Sequence, residues 1–593
     1  MRSQLLHIVV IGVASLILAA CGGGGDDGQK KSPTTPVSVT IVSGNSQSGT
    51  VATELPLALT VRVADAGARP VAGVTVNWAV TAGGGMLTPA ASTTDAAGTA
   101  RTRWTLGPAS GANQATATVT GIPAVTFTAT ATTGATASVS VTSPQETAFE
   151  GDTVQFTAVA RDADGNAIPG KTFTWASSEP TRAPVSSAGL LHTWGVGEVT
   201  VTATVDGCSG TAVLSIRPIL ATVTVGAKDV VFDWTEHRCE DLDVPDGPTR
   251  VVRAGNAELV LFSGNAPRYY VSRGSAFDTL QRQCSSPALT SLDDRTPQSY
   301  QNWEWLWSVY RDGSTWHALI HNEFHDTVAP LCRPGDPSPA NPCWYNSITY
   351  AVSTDDGRTF SKPLAPAHVV APAPNSWTAP TPETPRDSWY YWEGYRAPTN
   401  LVEAPDGYLY SMMDLRPAKE VFEYRVCVMR TRTLADPSSW RTWDGTGFNL
   451  PMRSPYVTGE PATPCTALHW PIGNSSIGYS TYLGRFILVN ESSYPVGGQV
   501  VCGVFYMLSA DFLHWSEPQL IAEAKLAWCP VDPLKPGLLE SVPIMYPAIV
   551  DHGDTTVNFE QVGRTPHLYY TRFNDGGLDR DLVRVQLTFT RTN

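Results

Sequence analysis

Residues 350–360 read Tyr350-Ala351-Val352-Ser353-Thr354-Asp355-Asp356-Gly357-Arg358-Thr359-Phe360. An apolar run enters a polar turn built on Ser353, Asp355 and Gly357, and an aromatic residue follows; this is the signature of a strand leading into a tight hairpin. The pattern returns at Tyr506-Met507-Leu508-Ser509-Ala510-Asp511-Phe512-Leu513-His514-Trp515, without the glycine. More divergent copies run from Val428 to Trp440, from Tyr270 to Leu280 and from Tyr569 to Leu582. Five copies spaced by roughly 60 to 80 residues predict five sheets of one kind. A single such sheet cannot cover both its faces, so the copies are expected to close into a five-bladed β-propeller over residues 222–593.

Upstream the texture changes but the period does not. Leu57-Ala58-Leu59-Thr60-Val61-Arg62-Val63 and Val74-Thr75-Val76-Asn77-Trp78-Ala79-Val80 alternate apolar and polar residues, as strands with one buried face do. Residues 37–134 are therefore expected to form one β-sandwich and residues 137–218 a second. The stretch Thr94-Asp95-Ala96-Ala97-Gly98-Thr99-Ala100 with Trp104-Thr105-Leu106-Gly107 resembles bacterial Ig-like domains of the invasin and intimin type. Asp162-Ala163-Asp164-Gly165-Asn166-Ala167-Ile168, Trp175-Ala176-Ser177-Ser178 and Gly197-Glu198-Val199-Thr200-Val201-Thr202-Ala203 resemble the other common bacterial Ig-like family. The fold class expected is all-β: two Ig-like sandwiches followed by the propeller. Such sandwiches mostly act as stalks, so these resemblances imply spacers, with adhesion as the alternative.

At the N-terminus Arg2 precedes an apolar run from Leu5 to Leu18, too short for a membrane span. Leu18-Ala19-Ala20-Cys21 resembles the lipobox of bacterial lipoproteins, which implies cleavage within residues 1–21 and lipidation of Cys21. Residues 22–36, opening on four glycines and two aspartates, read as a flexible tether. The expectation is an outer-membrane lipoprotein of the cell envelope, a monomer held to the membrane by its lipid alone. A formal net charge of -14 argues against a nucleic-acid partner.

Of the ten cysteines, Cys208 stands alone. Cys239, Cys284, Cys332, Cys343, Cys427, Cys465, Cys502 and Cys529 fall in the last domain and suggest up to four disulfides outside the cytoplasm, Cys332 with Cys343 first among them. There is no Cys-x-x-Cys pair, and neither a metal nor another cofactor is expected.

Ser353 to Phe360 resembles the Asp-box of sialidases, a hairpin motif remote from catalysis. The whole last domain resembles the five-bladed glycosidases of the arabinanase, β-xylosidase and levansucrase clan, which implies a poly- or oligosaccharide substrate and paired carboxylates. Glycosidic cleavage needs one carboxyl group to protonate the leaving oxygen and a second to act as base or nucleophile. Ala318-Leu319-Ile320 runs into His321-Asn322-Glu323-Phe324-His325-Asp326, which makes Glu323 the expected acid, with His321 and His325 tuning it or binding hydroxyls. By position Asp246 matches the clan's base, with a turn role in Pro245-Asp246-Gly247 as the alternative. Asp414 ends a strand as Glu323 and Glu491 do, and is the third expected catalytic carboxylate. Glu393 precedes a glycine as the acid does in some clan members and is carried as a substrate-binding residue. Arg250, Arg396 and Arg572 would suit an acidic sugar. Tyr395 with His321 would serve a polysaccharide lyase instead, and the same ring without chemistry would serve a carbohydrate-binding or adhesion protein.

Overall fold

A computed structural model describes residues 34–326, 343–378, 392–416, 425–468, 475–529, 539–575 and 577–592. Cys21 and Cys332 lie outside the described residues. The chain divides into two compact units. One comprises the chain up to Ser140 with Val159–Thr172 and Thr204–Ser209; the other comprises Val141–Ala158, Phe173–Ala203 and Gly210–Asn593. Among the described residues no helix is long and apolar enough to cross a membrane.

In the first unit a four-stranded sheet pairs Ser38–Ser43, Leu59–Ala64, Thr99–Leu106 and Gly85–Thr88. It faces a five-stranded sheet of Gln47–Thr50, Ile122–Thr132, Gly111–Val119, Thr75–Ala82 and Ala91–Thr93. Alternate residues point inward, so Val61, Val76, Trp104 and Phe127 meet in one dry core. Asp95 makes its turn by accepting the Ala97 and Thr99 amides, each at 2.9 Å.

A second sandwich has the sheet Thr147–Phe149, Cys208–Arg217, Gly197–Val205 and Thr174–Ser177, and its core gathers Phe156, Leu191, Val201 and Leu214. The rest is a ring of five blades, each antiparallel from its inner strand outward. Blade one is Arg250–Arg253, Leu259–Phe262, Val271–Gly274 and Gln281–Arg282. Blade two is Trp303–Asp312, Thr315–Asp326, Cys343–Ser353 and Val369–Ala371. Blade three opens with Trp392–Arg396 and Val402–Glu403 and continues through Leu409–Arg416, Arg425–Thr431 and Arg441–Thr442. Blade four is Ser475–Ser480, Arg485–Val496, Gln499–Ser509 and Gln519–Glu523. Blade five is Ile544–Val550, His567–Phe573 and Arg580–Arg591, and its outer strand is Ala221–Phe232 from the start of the domain.

That last pairing, Ala221 with Arg591 through to Phe232 with Leu582, closes the ring. It also places the expected boundary at 222 inside the closing strand. Ile219 is part of the core between blades four and five, and the Tyr506 hydroxyl donates to the Ala221 carbonyl at 3.0 Å. The second sandwich also touches the ring directly. Arg485 pairs with Asp152 at 2.6 Å, and Trp194 stacks on His514 with ring centroids 3.7 Å apart.

Disulfides join Cys239 to Cys284, Cys427 to Cys465 and Cys502 to Cys529, while Cys208 is free. The Ser509 turn is built like the Ser353 turn but is one residue shorter: the Ser353 hydroxyl accepts the Gly357 amide, four residues on, and the Ser509 hydroxyl that of Phe512, three residues on. Asp355 accepts the Arg358 and Thr359 amides, and Asp511 accepts those of Leu513 and His514. The glycine is therefore dispensable at the second copy, where Phe512 itself takes φ +65°.

Candidate functional site

At one end of the ring the inner strands begin and their neighbours end. Pairing of Trp303 with Glu323 and of Arg396 with Asp414 brings both carboxylates to this end, on the second strands of blades two and three. Glu491 lies near the same end of blade four's second strand, one residue past the pair Ser475 and Asn490. Asp246 arrives on the loop that enters blade one.

His321, Glu323 and His325 sit two apart on one strand and so share a face. His325 Nε2 hydrogen-bonds Glu323 Oε2 at 2.8 Å, and His321 Nε2 lies 3.4 Å from Oε1. Tryptophans frame this trio. His325 stacks on Trp303 at 5.2 Å, and the edge of His321 meets Trp307 at 4.8 Å. Burial pushes His321 down to about 4, against the pull of Glu323, and keeps it neutral. Burial alone would raise Glu323, but the His325 hydrogen bond and the Arg396 charge act against it, and the carboxyl is held below its ordinary value. Glu323 is thus ionised at neutral pH, whereas a proton donor would need the opposite shift. Its side chain keeps 15% exposure, so the carboxylate is deep yet reachable.

Across the opening, Tyr546 joins two more carboxylates. Its amide donates to Glu491 Oε2 at 2.8 Å and its hydroxyl to Asp246 Oδ1 at 3.1 Å. Tyr546 has φ +59° at a bulge in blade five's inner strand, a costly backbone state for a bulky residue and one that clusters at functional sites. Burial and then the Asp246 charge push its hydroxyl well above the usual tyrosine range. Arg580 forms an ion pair with Asp246. The two sides meet through Trp307, whose ring is 6.1 Å from Tyr546 and packs against His321; the Asp246 charge acts on that same histidine.

The remaining expected residues divide. Arg396 lies over the Trp392 ring at 4.1 Å and 3.5 Å from Asp414, with its Nε buried and without a hydrogen-bond partner. Its charge reaches both Glu323 and His321, so it belongs to the site. Tyr395 and Glu393 fall on the opposite strand face. Tyr395 is buried in the core between blades two and three, which removes it from the opening as a base, and Glu393 is buried where its charge acts on Tyr456. Gly394 between them has φ +97°, and a Cβ there would come within 2.0 Å of the Asn346 carbonyl, so only glycine allows blades two and three to join here. Arg250 is fully occupied by the carbonyls of Trp307, Thr249 and Ser475 and ties blades one, two and four together. Arg572 is held by Asp581 and Glu540. Arg250 is not presented to a ligand as expected, because backbone acceptors already engage each of its nitrogens. Among the described residues no group of three His, Cys, Asp or Glu side chains is arranged to hold a metal.

Tyr546 and Arg580 are not among the residues expected from sequence. The available signal was Tyr546-Pro547 interrupting an inner strand, since proline restricts the residue before it and breaks the ladder.

Residues 135–215 match the bacterial Ig-like domain (group 2) family. No curated protein matches the chain. Among solved structures it is similar to the adhesin FdeC of Escherichia coli at 16% identity, over 49% of this chain and 94% of that one, with a TM-score of 0.25. It is similar to an endo-arabinase from Bacteroides thetaiotaomicron at 10% identity, over 62% and 98% of the two chains, with a TM-score of 0.33. A Cellvibrio cellulosa α-L-arabinanase complexed with arabinohexaose gives 12% identity over 58% and 91%, with a TM-score of 0.30.

Proposed function

We propose that the propeller is a glycan-active enzyme, a glycoside hydrolase working at the end of the ring that holds Glu323, Asp246 and Glu491. The observation that carries this reading is the contrast between the two sides. Glu323 is ionised and backed by two histidines, while Asp246 and Glu491 are bridged by Tyr546. Cleavage of a glycosidic bond divides its work between a carboxylate and a carboxylic acid. Glu323 supplies one carboxylate, as base toward water or as nucleophile, and Asp246 or Glu491 is the second carboxyl group of the pair. Arg396, 3.5 Å from Asp414, brings a positive charge beside these carboxylates. The lyase reading, moved from Tyr395 to Tyr546, is disfavoured: a tyrosine base needs a lowered pKa, and Tyr546 is shifted the other way. With lipid on Cys21, the enzyme would stand off the outer membrane on its Ig-like domains.

The test is incubation of the whole chain with a panel of neutral and acidic polysaccharides. New reducing ends without unsaturated products support hydrolysis. Unsaturated products support a lyase, and retention of a glycan without any product supports binding alone.

A further inference from the structure

At the opposite end of blade three, a cavity of about 360 Å³ is lined by Tyr408, Arg430, Asp436, Ser438, Ser439, Arg441 and Phe448. Six residues of strand separate Tyr408 from Asp414, so it lies about 20 Å from the carboxylate site. Its walls are fixed by contacts that leave little freedom. The Arg430 guanidinium lies over the Phe448 ring at 4.2 Å and over the Tyr408 ring at 4.0 Å, and Arg432 lies over Tyr408 at 4.1 Å. Such cation–π layers hold charge in place without neutralising it. The loop on the far side is equally tied down. Asp436 accepts the Ser438 amide at 2.9 Å and its hydroxyl at 2.7 Å, and the Ser439 hydroxyl lies 2.6 Å from that of Thr431.

The charges do not cancel. Arg430 pairs with Asp406 at 3.1 Å, but Arg441 has no carboxylate partner among the described residues. Arg441 spends only its Nη1 on protein, donating to the Ser438 and Trp440 carbonyls, each at 2.8 Å. Its Nε and Nη2 edge, the fork that matches a carboxylate or sulfate with two parallel hydrogen bonds, has no protein acceptor. Three arginines against Asp406 and Asp436 leave this cavity positive on a chain whose formal net charge is -14.

We propose that this cavity is a second glycan site, one that takes an anionic sugar unit, carboxylated or sulfated, on the free edge of Arg441. Arg430 and Arg432 supply the surrounding field, and the serine-lined wall faces the sugar. The inference rests on the glycan-active reading for the kind of ligand, but not on any chemistry in the ring. Its role is to hold an acidic polysaccharide on the blade while another part of that chain reaches the carboxylates.

Native affinity electrophoresis of the full chain tests it, with polygalacturonate, dextran sulfate or neutral dextran cast in the gel. Retardation by one or both anionic polymers and not by dextran is expected, and which of them retards shows whether carboxylate or sulfate is the group bound. Arg441→Gln should weaken retardation about tenfold, as loss of a charge-assisted pair does, and Phe448→Ala should weaken it by releasing Arg430. Arg441→Gln should melt with the wild type, which separates lost binding from lost fold. Glu323→Gln should be retarded normally. Absence of retardation, equal retardation by dextran, or retardation unchanged in Arg441→Gln would overturn the proposal. Retardation lost in Glu323→Gln but kept in Arg441→Gln would place anion binding in the ring and leave the hydrolase reading standing.

Discussion

The first sandwich and the propeller are both made of alternating strands, but they bury different side chains. In the sandwich the core is Trp104, Phe127 and small aliphatic residues, and the buried polar side chains among its described residues are Thr60, Thr94, Thr102 and Asn113. The propeller buries carboxylates, histidines and arginines as well, Asp243, Glu304, His321, Asp414 and Arg584 among them. Within the ring a second division appears. Some of these charges are paired inside the ring, as Arg282 is with Asp243 and Lys362 with Glu304. Others, at the opening, keep atoms without a hydrogen-bond partner, as His321 and Arg396 do. An unmatched buried polar group costs stability and persists where a ligand or water completes it.

The paired charges should be the most costly to break. Lys362→Met leaves Glu304 buried without its partner and should destabilise the propeller by about 3–5 kcal/mol; a denaturant midpoint equal to wild type would show the pair to be ornamental. Trp104→Ala should cost the first sandwich about 3–5 kcal/mol through the cavity it opens. Turnover by the propeller should not change, and a loss of turnover would mean the sandwich contributes to the site. Replacing Cys239 and Cys284 together by serine should cost about 2–4 kcal/mol, the range for a disulfide closing a loop of this length.

The smallest effect concerns Glu560, which burial pushes up to about 7, with the charges of Glu403 and Asp554 adding to the rise. A carboxyl that binds its proton more tightly in the folded state makes stability fall as pH rises from the ordinary glutamate range through about 7. Glu560→Gln keeps an oxygen for the Glu403 amide, which Glu560 now accepts at 2.8 Å. The variant should melt above wild type near pH 8, with the gain vanishing near pH 5. A gain independent of pH would mean that titration of Glu560 is not its source.

Much of this was legible in the residues. The period of two marks every sandwich strand, and the turns at Asp355 and Asp511 mark two blades. His321, Glu323 and His325 share a face because they alternate, and the same rule assigns Arg396 to the site and Tyr395 to the core. Other features depend on partners far away in sequence. The closing strand Ala221–Phe232 pairs with residues 350 or more positions later, and no local pattern reports that. Arg250 looks like a ligand-binding arginine until Trp307 and Ser475 carbonyls arrive from two other blades. The ionisation of Glu323 is likewise a balance between burial and charges from two blades, and sequence shows the charges without the balance.

The central claim is that Glu323 does chemistry and does not hold the fold. On the first polysaccharide that yields products, the rate of Glu323→Gln should be measured beside its melting temperature. The account predicts turnover lowered by about 10²- to 10⁴-fold, with stability within about 1 kcal/mol of wild type. Near-normal turnover by a stably folded Glu323→Gln would contradict it.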